Sequence, residues 1–217
     1  MQKVVIFGTR DFAQLAHFYL LHDSPYEVVA FSVSAAYMVD ESSFEGLPLV
    51  PFETVETVYP PGEFAFFVPM SPTRMNRDRE AIYLAAKQKG YQLISYVSSH
   101  SYIAPGTVIG DNCFIWENNT VQPFARIGNN VTICSGNIVG HHARVGDHVF
   151  LSNTVLTGHT VVGDYCFFGV NSCVKECLTI AEGTYVAMNS AVVCDTEPWS
   201  VYRGNIAEKQ QKSSQGI

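Results

Sequence analysis

From Val97 onward the chain carries an aliphatic residue at every sixth position: Val97, Ile103, Ile109, Ile115, Val121, Ile127, Ile133, Val139, Val145 and Leu151. Val, Ile and Leu make up about a fifth of the sequence, so ten consecutive hits by chance is on the order of one in millions. The register resumes at Leu156 and continues through Val162, Phe168, Val174, Ile180, Val186 and Val192, so one residue is lost between Leu151 and Leu156. Two positions before most of these aliphatics sits something compact, such as Thr107, Cys113, Asn119, Ala125, Thr160, Cys166, Ser172 or Ser190. A longer period is superimposed. Ile109-Gly110-Asp111, Ile127-Gly128-Asn129 and Val145-Gly146-Asp147 lie eighteen apart, and Val162-Gly163-Asp164 follows at seventeen. Three six-residue sides therefore make one coil of a triangular prism, with a Gly-Asp/Asn turn stacked at one corner. About five coils are expected between Val97 and Val192, each stable only against its neighbours because the aliphatic residues stack inward from coil to coil.

Residues 1–96 read differently. Runs at 4–7, 27–33, 64–68 and 93–97 are strand-like, and Asp11 is placed to cap a helix whose apolar residues Phe12, Leu15, Ala16, Tyr19 and Leu20 recur at three and four. Residues 76–89 are helical in composition and closed by Gly90. This alternation predicts a small, Rossmann-like parallel sheet with helices on its faces. From Asp195 the hexad pattern breaks at Pro198, Trp199 and Gly204, and 195–217 is expected to be a cap and tail, with 210–217 disordered. The expected domains are thus 1–96, 97–194 and 195–217.

The formal charge of −7, with no clustered Lys/Arg face, disfavours nucleic acid or an anionic membrane surface as partner, so any phosphate must be met locally. A strand-like run already at Val4 leaves no room for a secretory signal, and no apolar run approaches the roughly 20 residues of a membrane span. A cytoplasmic protein without membrane insertion is expected. The six cysteines contain no CxxC pair and are expected to be reduced and mostly buried.

The hexad array, the opening Ile6-Phe7-Gly8-Thr9-Arg10-Asp11-Phe12-Ala13, the central Gly140-His141-His142 and the late Val201-Tyr202-Arg203-Gly204-Asn205 together resemble the hexapeptide-repeat, left-handed β-helix acyltransferases. Within that family the chain is similar to the sialic acid O-acetyltransferases of the NeuD type and to the bacterial nucleotide-sugar N-acyltransferases. The resemblance covers nearly the whole chain. It implies a left-handed coil, a homotrimer, a nucleotide-linked amino sugar held by the N-terminal domain, acetyl-CoA or another acyl-CoA lying along the β-helix between two subunits, and no metal. It also implies a histidine base, which falls on His141. Where better-known members often carry an acidic residue after the base, this chain has His142. Arg10 stands where a dinucleotide fingerprint has its second glycine, and Phe31-Ser32-Val33-Ser34 lacks the acid that would bind a ribose, which disfavours a redox NAD site.

Amide formation needs a neutral amine and removal of a proton as the tetrahedral intermediate forms, and imidazole titrates near neutrality. His141 is the candidate base, with His142 orienting it or contacting substrate. One coil later, Gly158 falls over His141 and His159 over His142. The Gly158 N–H is a candidate donor to the thioester oxygen, and a turn glycine needing positive φ is the alternative. Gly8, Thr9, Arg10 and Asp11, at a helix N-terminus, are the candidate substrate loop. For CoA the candidates are Gly158, Val170 and Ala187 along the pantetheine, with Lys175, Arg203 and Lys209 for its phosphates. His22 and His148 read as ordinary surface or packing histidines.

An N-acyltransferase of a nucleotide-linked amino-deoxy sugar is the leading expectation. A sugar O-acetyltransferase of the same fold, a zinc hydratase of the γ-carbonic-anhydrase type using His141, His142 and His159, and a non-catalytic scaffold stay open.

Overall fold

The computed structural model describes residues 1–38 and 42–204. Asn205, Lys209 and the expected tail at 210–217 lie outside the described residues. The chain begins with an α/β part containing β1 (Gln2–Phe7), α1 (Asp11–His22), β2 (Tyr26–Val33), β3 (Ser43–Phe44), β4 (Leu47–Pro51), α2 (Val55–Val58), β5 (Phe64–Phe67) and α3 (Arg77–Gln88). The strand order is β3-β4-β2-β1-β5, parallel except for the β3–β4 hairpin. That hairpin turns on Glu45 and Gly46, both at positive φ, the geometry of a two-residue primed turn.

Two expectations are corrected here. Asp11 is the first helical residue of α1, not its cap; Arg10 holds the cap position and no side chain caps the helix. Residues 93–97 do not form a fourth strand of this sheet: Leu93 makes one isolated bridge to Phe66, and Tyr96–Val97 pairs with Phe114–Ile115 instead.

That pairing starts the prism. Seventeen two-residue strands, from Tyr96–Val97 to Ala191–Val192, recur at the hexad spacing and stack in three parallel sheets. Side one contains Tyr96–Val97, side two Tyr102–Ile103 and side three Val108–Ile109, with each later strand paired to its counterpart one coil on. The pairing offset drops from eighteen to seventeen between Thr132↔Phe150 and Ile138↔Val155, which locates the lost residue. The aliphatic column from Ile115 to Val192 is buried, together with compact partners such as Cys113, Ala125, Ala143 and Cys166. Each corner turns on a left-handed residue. One corner uses Asn112, Asn130, His148 and Tyr165, another Asn118, Asn153, Asn171 and Asn189, and the third Phe124, His142, His159 and Cys177.

The Gly-Asp/Asn pairs have a specific job. Asn129 Oδ1, Asp147 Oδ1 and Asp164 Oδ1 accept from the backbone N–H of Asp111, Asn129 and Asp147 one coil earlier. The glycines are there for close approach, since a Cβ at Gly128 would fall 2.7 Å from the Gly146 carbonyl. Beyond the hexad register, Val201–Tyr202 pairs with Tyr185–Val186 and extends side one, while Trp199 packs under the corner, within 5.9 Å of the Tyr165 ring.

The α/β part covers side one. Its α1 face shares a core with Tyr96 and Phe114, and Phe12 at the start of α1 meets Trp116 and Phe150 at 5.9 and 6.2 Å between ring centres. Such aromatic pairs add about 0.5–1.5 kcal/mol beyond area burial. The other face docks through α3. Arg79, 1% exposed, donates to the Asn130 side chain and to the carbonyls of Met70, Asn130 and Val149. With no carboxylate among these partners, burial holds the Arg79 pKa down to about 10. Asn112 makes reciprocal bonds with the Val68 N–H and C=O at 2.8 and 3.1 Å.

All six cysteines are free. Cys113 and Cys166 are buried and Cys134 is partly buried, but Cys173, Cys177 and Cys194 are exposed, so the expectation of mostly buried thiols is corrected: the later three occupy outward turn and strand positions. Among the described residues no helix is long and apolar enough to cross a membrane.

Candidate active site

The corner between sides two and three carries Gln122, Phe124, His141, His142, Gly158, His159 and Cys177 on successive coils. Phe124, His142 and His159 have φ of 69°, 60° and 59°. Repeating one turn conformation coil by coil stacks their rings into a column. Phe124 and His142 are 4.7 Å apart at 36°, and His142 and His159 are 4.7 Å apart at 10°. His141 precedes the left-handed position and its ring takes another direction, nearly perpendicular to both His142 and His159.

Backbone bonds hold this corner. The His141 N–H donates to Gln122 Oε1 at 2.9 Å, the His159 N–H to the His141 carbonyl at 2.9 Å, and the His142 N–H to the Pro123 carbonyl at 3.2 Å. His141 Nδ1 lies 3.2 Å from His142 Nδ1. The Cε1 side of the His141 ring rests on Gly158, where an added Cβ would fall 2.5 Å from Cε1, 2.6 Å from Nε2 and 3.1 Å from Nδ1. The alternative reading of Gly158, a turn glycine requiring positive φ, does not hold; the backbone there is outside that region, and the constraint is the imidazole above it.

All three histidines are exposed, and each offers a ring nitrogen within 4.8 Å of the others. Crowding against its neighbours, then positive charge on His159 and His141, holds the His142 pKa below the ordinary imidazole value. Beside the column lies an open concavity of about 420 Å³ lined by Phe124, Arg126, His142, Arg144, His159 and Val161. Arg126 and Arg144 face outward on paired strands of side three. Sequence reasoning passed over Gln122, Phe124, Arg126 and Arg144, although each stands one coil, or one coil and a residue, from a neighbour in this corner.

The remaining candidates are distributed. Gly8, with φ of 112°, donates its N–H to the Ser32 carbonyl at 2.8 Å and begins the loop through Thr9, Arg10 and Asp11. That loop leads into Phe12, which packs on side one, across the prism from the His141 corner. Lys175 is exposed and shares the His141 corner. Val170 and Ala187 sit at the corner between sides one and two, and Arg203 follows the strand that bonds Ala187. One chain therefore brings His141, His142, Gly158 and Lys175 to one corner, and leaves Val170, Ala187 and Arg203 at another and the Gly8 loop on the opposite side. His148, 8% exposed, packs between Asn130 and Tyr165, and exposed His22 bonds the Phe18 carbonyl.

No protein-family model and no curated protein matches the sequence. Solved structures do. A histidine-to-asparagine variant of perosamine N-acetyltransferase from Caulobacter crescentus, in complex with CoA and GDP-perosamine, is 22% identical with a TM-score of 0.80, over 94% of each chain. The acetyltransferase domain of PglB from Neisseria gonorrhoeae FA1090 is 20% identical with a TM-score of 0.81, over 97% of this chain and 100% of that one. WeeI from Acinetobacter baumannii AYE is 17% identical with a TM-score of 0.78, over 96% and 99%. At these identities the likeness is one of fold: nearly end to end, this chain has the architecture of the perosamine N-acetyltransferase and of the PglB acetyltransferase domain.

Proposed function

We propose that this chain is an acyl-CoA-dependent N-acyltransferase acting on the amino group of a nucleotide-linked amino-deoxy sugar, with His141 as general base. The observation that carries the reading is the imidazole of His141 held between His142 Nδ1 at 3.2 Å and the α-carbon of Gly158. The structural neighbours support it, since one holds CoA with GDP-perosamine and another acetyl-CoA.

In this reading the His141 Nδ1–H donates to neutral His142, which leaves the Nε2 lone pair of His141 beside Gly158 for the incoming amine. The amine nitrogen attacks the thioester carbonyl, Nε2 takes its proton, the carbon–sulfur bond breaks, and the proton passes to the departing CoA thiolate. The Gly158 N–H, which meets no acceptor among the described residues, is available to the developing oxyanion. His142 takes the orienting role that an acidic neighbour has elsewhere.

Residues 1–96 hold the sugar nucleotide through Gly8, Thr9, Arg10 and Asp11. Residues 97–194, wound as a left-handed coil, hold acyl-CoA through Gly158, Val170, Ala187 and Lys175, and Arg203 of the segment that follows adds a charge for its phosphates. Residues 195–204 cap the prism, with Val201–Tyr202 added to side one and Trp199 under the corner. The placement of the Gly8 loop across the prism from His141 supports a homotrimer in which a neighbouring subunit completes each site. Phe124 at 72% exposure, with Tyr102, Val108 and Val161 also uncovered on sides two and three, supports the same assembly. A panel of nucleotide-linked amino sugars offered with acetyl-CoA, followed by release of free thiol, tests the activity. Turnover of at least one member is the expected result, and none with any member counts against the reading.

A further inference from the structure

We infer that His141, His142 and His159 form a binding site for an imidazole-preferring divalent cation, with zinc as the reference ion, and that its occupancy switches off acyl transfer at the same corner. The second half rests on the acyltransferase reading; the first does not.

One pair of nitrogens already has the spacing of a metal centre. Tetrahedral zinc with bonds of about 2.0–2.1 Å to imidazole nitrogen sets its ligand atoms about 3.3 Å apart. His141 Nδ1 and His142 Nδ1 are already 3.2 Å apart. The third histidine offers a nitrogen within 4.8 Å of both; its ring is stacked on His142 at 10°, so it must turn out of that stack to aim a lone pair at the same ion, and its exposure leaves room for that turn. The backbone beneath is fixed by the bonds from His141 to Gln122 and from His159 to the His141 carbonyl, so binding has only the side chains to order. Three ligands leave a fourth position open toward the concavity. Its Arg126 and Arg144 oppose a bare cation, and they suit a centre whose fourth ligand is an anion such as hydroxide or a thiolate.

Two ring nitrogens at 3.2 Å share one proton when both rings are neutral, and a cation takes the place of that proton. A metal on Nδ1 of His141 puts the remaining ring proton on Nε2, the nitrogen beside Gly158. The ring then has no lone pair for the substrate amine. Zinc occupancy and base catalysis by His141 exclude each other for that reason.

The test uses the full chain, freed of metal with a chelator. Calorimetric titration with Zn²⁺ should show one site per chain, and Co²⁺ substitution should give the visible spectrum of a four-coordinate centre. His142→Ala and His159→Ala, both at exposed positions, should each weaken binding by more than about tenfold, the scale on which even outer partners of a metal matter. His22→Ala, an exposed histidine outside the corner, should not change it. Unchanged zinc affinity in folded His142→Ala and His159→Ala, or a six-coordinate Co²⁺ spectrum, would overturn the site. Full turnover by zinc-saturated protein would overturn the inhibition. Zinc held by the three histidines in a protein that acylates no amino sugar would support the site and fail the acyltransferase reading.

Discussion

The imidazole of His141 rests on the α-carbon of Gly158, so closely that a side chain at 158 and the ring cannot both keep their places. The Gly158 backbone lies outside the left-handed region, so the chain itself accepts alanine there. What an added methyl displaces is an exposed imidazole. Gly158→Ala should therefore cost little stability, within about 0.5 kcal/mol as for an exposed substitution. Its turnover should fall by about 10²-fold, the scale on which a reacting group misplaced by an ångström loses rate. Thermal unfolding and steady-state kinetics on the same preparation check both halves. A variant with full turnover would show that the position of His141 over Gly158 does not matter.

The separation between the Gly8 loop on side one and the His141 corner makes a second expectation specific. Light scattering should return three times the 24.0 kDa of one chain, and a monomer would contradict the interfacial site. Complementation goes further. His141→Ala and a loop variant such as Arg10→Glu should each be impaired alone, while their co-expressed mixture regains activity from sites that pair an intact corner with an intact neighbouring loop. No recovery in mixed trimers would place the whole site within one subunit.

His148 makes stability depend on pH in a defined direction. Burial is the largest influence and disfavours its imidazolium; Glu80, Asp147 and Asp164 pull the other way, Arg79 adds to burial, and the net effect is a lowered pKa. The unfolded chain therefore binds a proton that the folded one resists. The contribution is complete above the unfolded histidine value of about 6.5 and is lost progressively as pH falls from there toward the folded value. His17, also lowered mainly by burial, acts with the same sign. The denaturant midpoint should be lower at about pH 5 than at about pH 7.5, and His148→Gln should make that slope shallower. An unchanged slope in the variant would remove His148 from the account.

The prism was legible because its inward column is a strict chemical pattern: from Ile115 to Val192 each aliphatic position has one place to go. The same register placed Gly158 beside His141 and His159 beside His142. Strand β4 was missed because Pro48 and Pro51 argue against a strand, yet it lies toward the edge, where lost N–H donors cost least. Residues 93–97 read as one strand because their composition is uniform. Their backbone divides between two sheets, Leu93 to Phe66 and Tyr96 to Phe114, a distinction local sequence does not carry. Val201–Tyr202 escaped the hexad register because the coil there has lost two further residues relative to Tyr185–Val186. Arg79 gave no signal at all: a guanidinium satisfied by carbonyls of two distant coils looks, in sequence, like any charged helical residue.

The most direct test of the central claim is the turnover number of His141→Ala, measured on folded protein with a nucleotide-linked amino sugar and acetyl-CoA. Loss of a general base predicts a fall in kcat of roughly 10²–10⁴-fold with CoA binding and assembly nearly intact, and a smaller fall for His142→Ala. If positioning of an already neutral amine supplies the acceleration instead, His141→Ala will cost less than about tenfold. That result would remove His141 from the chemistry.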